Sequence, residues 1–408
     1  MQKISVRCCI AGGGPAGIMA GLLLARAGVD VLVLEKHADF FRDFRGDTIH
    51  PSTLELMHEL GLLDAFLALP HQKAPYLAFQ FGDSSGRIAD FHGLPLRCPY
   101  IVFMPQWDFL DFLARHAARY PTFSLKVNAE VVELIQDKSQ VLGVTAHTPH
   151  GPLEVRADLV IAADGRHSVV RNKAGILVED FGAPMDVLWF SLPRLETDPA
   201  ETMGRFDAGR IMIAIDRGDY WQFGYVIPKG ALEAVREKGL PAFRQSIAAL
   251  APYLGDRAAA LDDWGKVKLL TVQVNRLRHW HRPGLLCIGD AAHAMSPVGG
   301  VGINLAIQDA VAASNLLAQP LLERRLTEAE IARVQLRREW PTRLTQRFQL
   351  LVQSRVLKRV LSGSPIRRPL PVALLRWFPP LRRLAAWLIG VGLRPEHIHT
   401  IPRWPEKG

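Results

Sequence analysis

Cysteine is scarce in this chain. Its 408 residues hold four, Cys8, Cys9, Cys98 and Cys287. No Cys-x-x-Cys spacing occurs, which argues against a disulfide framework and for free thiols in a reducing compartment. No run of 18 or more apolar residues is present, so no membrane-spanning helix is expected. The first residues pass straight into a strand pattern without the regions of a signal peptide, and the expected localisation is cytoplasmic. No metal-ligand spacing stands out, and no metal is expected. Basic residues outnumber acidic ones, 49 to 40, for a formal charge of +9. Such a balance favours anionic partners, but no basic–aromatic platform accompanies it, so no nucleic-acid partner is expected. The excess gathers after Ala318, where a solvated helical face is the plainer reading.

What is present begins at the N-terminus. Arg7-Cys8-Cys9-Ile10-Ala11 leads into Gly12-Gly13-Gly14-Pro15-Ala16-Gly17, an apolar helix, and then Val31-Leu32-Val33-Leu34-Glu35-Lys36. A strand, a glycine turn, a helix and a second strand ending in an acid form a dinucleotide-binding unit. Gly12 permits the tight turn, Gly14 lets a pyrophosphate approach the backbone, and Gly17 lets helix and strand pack closely. The helix N-terminus offers free N–H groups and a positive dipole end to phosphates. Glu35 lies about 20 residues on, where a carboxylate binds ribose hydroxyls.

Further along, helices are expected over 13–27, 52–68 (capped by Ser52 or Thr53) and 106–120. A hairpin is expected around Asp83-Ser84-Ser85-Gly86, and short strands over 123–127, 129–136, 141–148 and 152–156. Val160-Ile161-Ala162-Ala163-Asp164-Gly165 reads as a separate buried strand ending in a turn. After Gly182 the pattern turns to aromatic and β-branched strands. Leu285-Leu286-Cys287-Ile288-Gly289-Asp290 returns to a buried strand, followed by a helix over 302–317. The expected fold class is α/β. A Rossmann-type domain (1–72, 100–182 and 265–318) carries an inserted antiparallel sheet domain (73–99 and 183–264) and a helical C-terminal region (319–408).

Three segments combine: the glycine turn with Glu35, Asp164-Gly165-Arg166-His167-Ser168-Val169-Val170-Arg171, and Gly289-Asp290-Ala291-Ala292-His293 running to Pro297, Gly299-Gly300-Val301-Gly302-Ile303-Asn304. In this order and spacing the chain resembles the single-component FAD-dependent aromatic hydroxylases, the group A monooxygenases, over roughly residues 4 to 318. That resemblance implies bound FAD held by Gly12, Gly14, Ala16, Gly17, Glu35, Lys36, Arg45, Gln106, Val131, Asp164, Asp290, Pro297, Gly300, Gly302, Ile303 and Asn304. The physical reading agrees at several of these. A carboxylate at Asp290, on the carboxyl edge of a sheet, can accept from ribityl hydroxyls. Gly300 and Gly302 let backbone lie flat against a ring, and a helix starting near Gly302 stabilises negative charge on a reduced flavin. Arg45 offers charge-assisted bonds to phosphate. A second GxGxxG unit is missing, so a nicotinamide donor, NADPH or NADH, docks transiently.

The resemblance further implies hydroxylation of an aromatic, phenolic or polyketide-like substrate with O2, through a flavin C4a-hydroperoxide. His50 is the candidate base for a phenol. Trp189, Met212, Trp221, Phe223 and Tyr225 are candidate pocket residues, because alternation sets Trp221, Phe223 and Tyr225 on one face. Two other chemistries stay open: a flavin-dependent reductase or dehydrogenase of an isoprenoid-like substrate, and a flavin halogenase. The tail over 371–390 mixes leucines, aromatics and arginines. It reads either as a peripheral membrane contact or, more plainly, as helices that close over the flavin domain or join two copies. Monomer and homodimer both remain open.

Overall fold

A computed structural model describes residues 2–41, 48–82, 84–199, 203–207, 209–361 and 378–404. The first layer is an eight-stranded sheet. Leu285–Cys287, Gly151–Ala162, Gln2–Ala11, Val31–Leu34 and Phe123–Lys126 run parallel as successive neighbours. The sequence explains this core: Cys8 to Ala11, Val31 to Leu34 and Leu159 to Ala162 are unbroken apolar runs buried on both faces. The helices Pro15–Arg26 and Gly302–Leu322 cover one face. By length and composition the second could span a bilayer, but 83% of its apolar window is buried inside the protein, so it is a core helix.

The strands expected over 152–156 and 160–165 are one strand, Gly151–Ala162. Arg156 and Asp158 interrupt the apolar pattern without breaking the strand. Arg156 turns outward to Glu154, and Asp158 pairs with Arg7 on the adjacent strand. The helix expected over 52–68 is two, Pro51–Glu59 and Leu63–Leu67, split where Gly61 takes a φ of +69°. Its cap position is His50, not Ser52 or Thr53, because Pro51 fits the first helical position.

The second layer is a seven-stranded sheet in the order Lys268–Leu270, Met185–Pro193, Tyr220–Pro228, Arg210–Asp216, Met203–Asp207, Tyr76–Phe81 and Ser84–Asp90. It is antiparallel except where Met203–Asp207 meets Tyr76–Phe81. The hairpin turns between Phe81 and Ser84, earlier than expected. The Lys268–Leu270 strand carries this sheet past the expected boundary at 264. One face packs on its own helix Leu240–Leu250, and the other turns toward the parallel-sheet domain.

The C-terminal region is not uniformly helical. Glu328–Val352 and Pro379–Gly390 are helices, but residues 393–402 run without helix or strand across the first domain. There Arg26 donates to the Thr400 carbonyl, Arg403 N–H to the Arg26 carbonyl, and Ile398 N–H to Glu59.

Candidate functional site

Three parallel strands end side by side at Ala11, Ala162 and Cys287. The loops leaving them carry the glycine turn, Asp164-Gly165 and Gly289-Asp290, so three segments distant in sequence share one sheet edge. Gly12 sits at a φ of +103°, and a Cβ there would lie 2.4 Å from the Ala163 carbonyl oxygen. At Gly17 a Cβ would lie 1.9 Å from the Gly12 carbonyl oxygen, so only glycine lets this helix seat against the turn. Gly289, at a φ of +58°, fits between two helices because Ala16 and Ala306 are small. Gly14, Gly165 and Gly302, by contrast, each face open space within 4 Å.

The helix Pro15–Arg26 begins at Gly14 without a side-chain cap or an acid in its first turn, which leaves its N-terminal N–H groups and dipole to an anion. Glu35 is held in place: Oε2 accepts from Gly13 N–H at 2.8 Å and Oε1 from His37 N–H at 3.0 Å. Lys36 is exposed beside it. Val131 is buried in the strand Glu130–Asp137, whose approach is tied to Glu35 through Ala129 N–H. Gln106 opens the helix Gln106–Ala117 and is half-buried. Arg45 lies outside the described residues.

Asp164 Oδ2 accepts from Val170 N–H at 3.2 Å, while Oδ1 is buried without a partner among the described residues. Burial pushes this carboxyl above its ordinary value, although bonds from Ser168 and Val170 oppose the rise. Arg171 links the loops by donating to the Ala291 and Arg166 carbonyls. Asp290 accepts from Arg166 Nε at 3.0 Å. Pro297 precedes Gly299 and Gly300, both at positive φ, and Gly300 lies against Thr48. Ile303 and Asn304 are buried in the first turn of the next helix, where Asn304 Oδ1 accepts from Ser52 Oγ at 2.8 Å and Thr53 Oγ1 at 2.9 Å. That is where the two expected caps spend their hydroxyls.

Open backbone at Gly14, Gly165 and Gly302, an anion-ready helix end, a fixed carboxylate at Glu35 and an orphaned buried oxygen on Asp164 together fit a long dinucleotide. The sequence and structural comparisons agree with that shape. The FAD binding domain model matches residues 5–342. The chain belongs to the FAD binding domain family. Across 390 residues it is 34% identical to 6-methylpretetramide 4-monooxygenase of Streptomyces rimosus, covering 92% of this chain and 91% of that one. Rifampicin monooxygenase of Streptomyces venezuelae is 30% identical over 322 residues, 74% of this chain and 61% of its own, so the chain spans about three fifths of that relative. Among solved structures, p-nitrophenol 4-monooxygenase PnpA of Pseudomonas putida DLL-E4 superposes with a TM-score of 0.78 at 21% identity, covering 97% of this chain and 100% of that one, a likeness of fold. This member of the family is an FAD-dependent monooxygenase.

The pocket expectations divide. Met212, Trp221, Phe223 and Tyr225 face the sheet's own helices, packed with Phe243, Ile247 and Leu250. They are core, and alternation grouped them correctly but on the face away from the three loops. Trp189 lies on the other face, with Ile213 and Ile215, and it reaches the cluster that holds Val298, next to Gly299. Gly224 pairs with both Trp189 and Ile213, and a Cβ on it would come within 3.1 Å of the Trp189 ring. Sequence reasoning missed Ile213, Ile215 and Gly224, although the register that buries Trp221 inward turns Gly224 outward.

His50 does not fit the role of a base. It is fully buried, its Nδ1 bonds the Ile389 carbonyl at 2.7 Å, and burial pushes its pKa down to about 4. A group so sealed is a weak proton acceptor at neutral pH.

Sequence reasoning also missed a buried ionic chain under the Gly289-Asp290 loop. Asp309 Oδ2 meets His293 Nε2 at 2.6 Å and accepts from Gly289 N–H at 3.1 Å; Arg338 Nε donates to Asp309 Oδ1 at 3.2 Å and its Nη1 to Glu396 at 3.1 Å. Burial raises the Asp309 carboxyl, but His293, Arg338 and the Gly289 N–H outweigh it and leave it below the ordinary value. The signal was available: Asp309 is the lone acid in an apolar helix.

Proposed function

We propose that the protein hydroxylates a flat, apolar, multi-ring aromatic substrate of polyketide type, with a nicotinamide donor and O2. One observation carries this reading. The outward face of the seven-stranded sheet, beside the glycine loop over 297–302, is apolar through Trp189, Ile213 and Ile215, and the indole lies flat over Gly224, where a Cβ would crowd it. One relative that matches 92% of this chain, 6-methylpretetramide 4-monooxygenase, is by its name a monooxygenase of 6-methylpretetramide.

In this reading the Gly12–Gly17 turn and helix end hold the pyrophosphate, Glu35 the adenosine ribose, Asp290 and Gln106 the ribityl chain, and the 299–304 backbone the ring's pyrimidine edge. FAD held there would supply the redox chemistry that links the nicotinamide donor to O2. The chain's own part is to orient the substrate against Trp189 and exclude water behind the two sheets. No side-chain nucleophile is required.

The test is to titrate the FAD-loaded protein with polycyclic phenols and monocyclic phenols, following NAD(P)H oxidation, O2 uptake and product mass. The expected result is a product heavier by one oxygen, favoured for the polycyclic set. A reduced product formed without oxygen would replace this reading with a reductase.

A further inference from the structure

Among the described residues, the helix Glu328–Val352 is covered by protein on one side only. Ile331, Val334, Gln335, Arg338, Gln346 and Gln349 are buried. On the other side Leu336 is 74% exposed, Trp340 54%, Phe348 56% and Leu351 51%. Steps of four, eight and three residues place these four within an arc of about 120°. Exposed Arg333 and Arg347 share that arc, and exposed Arg343 borders it. The nearest acids, Glu330 and Glu339, are each paired to an arginine, Arg325 at 2.8 Å and Arg343 at 3.4 Å, so the face is net basic. The Pro379–Gly390 helix repeats the composition, with exposed Leu381, Leu384 and Leu388 beside exposed Arg383.

Exposed apolar patches of this kind mark interaction sites. A second copy would set arginine against arginine, which disfavours association. Leucine, tryptophan and phenylalanine ringed by guanidinium groups match the boundary between acyl chains and anionic headgroups. We propose that the Leu336–Leu351 face docks the protein on an anionic lipid surface, the helix lying in the interface with Trp340 and Phe348 at the acyl boundary and Arg333 and Arg347 on lipid phosphates.

The experiment is flotation of the FAD-loaded protein with vesicles of phosphatidylcholine alone and of phosphatidylcholine with phosphatidylglycerol. The protein should float with the anionic vesicles, not with the neutral ones, and release as salt is raised. W340D/F348D and R333E/R347E should each weaken binding at least tenfold, roughly what losing two interfacial arginines costs, while flavin absorbance shows both variants folded. Failure to float with anionic vesicles overturns the proposal, as does binding that both variants leave intact. Light scattering that shows a dimer abolished by W340D/F348D would also overturn it, and give this face to a second copy.

Discussion

Gly14 and Gly17 lie three residues apart in one turn and face opposite constraints. At Gly17 a Cβ would fall 1.9 Å from backbone oxygen, whereas at Gly14 it would meet nothing. Gly17→Ala should therefore destabilise the protein itself by about 1–3 kcal/mol, the usual range for overpacking, and lose flavin as a consequence. Gly14→Ala should leave the stability of the flavin-free protein within about 0.5 kcal/mol and still weaken FAD, because the added methyl occupies the phosphate's approach. Denaturant unfolding of both apoproteins beside FAD titrations separates the two. Equal stability losses would mean that Gly14 is structural and no phosphate site.

His50 gives a second test at this scale. Its folded pKa lies near 4, below the ordinary 6.5. The folded state thus favours the neutral ring, and its contribution is complete above pH 6.5 and lost as pH falls toward 4. The span is worth about 3 kcal/mol. Unfolding free energies of the protein and of His50→Gln should diverge across that window, with the wild type falling faster. Parallel curves would show that the ring stays open to water.

At the scale of elements, the ionic chain from His293 through Asp309 and Arg338 to Glu396 ties the Gly289-Asp290 loop to two helices and the C-terminal extended segment. Removing one partner of a buried set costs about 3–5 kcal/mol, because the other charge is left uncompensated. Asp309→Asn leaves Arg338, 1% exposed, without one of its carboxylates, and should lower stability by that order and loosen FAD. Double replacement of Asp309 and Arg338 by Asn and Met should recover part of the loss. If the double variant is no better than the single, the coupling is not ionic.

The same scale shows what the sequence could tell. The strand–turn–helix–strand unit was legible because glycine spacing and unbroken apolar strands are local signals. The split at Gly61 was not, since apolar spacing continues through Leu60, Leu62 and Leu63 while the positive φ is visible only in the backbone. Arg338 reads in sequence as one of many tail arginines; only the fold, by bringing Asp309 and Glu396 to it, makes it a buried charge.

At the scale of the whole molecule, the seven-stranded sheet separates stability from specificity by its two faces. Trp221 lies on the inner face, fully buried, and donates to Asp198 at 2.8 Å. Trp189 lies on the outer face, in the cluster that holds Val298 of the third loop. Alternation along neighbouring strands assigns residues to faces but not the faces to neighbours, which is why the sequence grouped Trp221, Phe223 and Tyr225 yet put them on the wrong side. Trp221→Ala should cost about 3–5 kcal/mol and lower kcat only in proportion to the folded fraction. Trp189→Ala should cost clearly less, because the ring is already partly exposed, and should raise KM for polycyclic phenols severalfold with FAD affinity unchanged. Gly224→Val works in the opposite sense. Its side chain would crowd the Trp189 ring, which a Cβ already meets at 3.1 Å, push the indole outward, and should shift kcat/KM from polycyclic toward monocyclic phenols. Kinetics of the three variants on both phenol classes, beside their unfolding curves, check the assignment. If Trp221→Ala and Trp189→Ala change substrate preference alike, the outer face is not where the substrate lies.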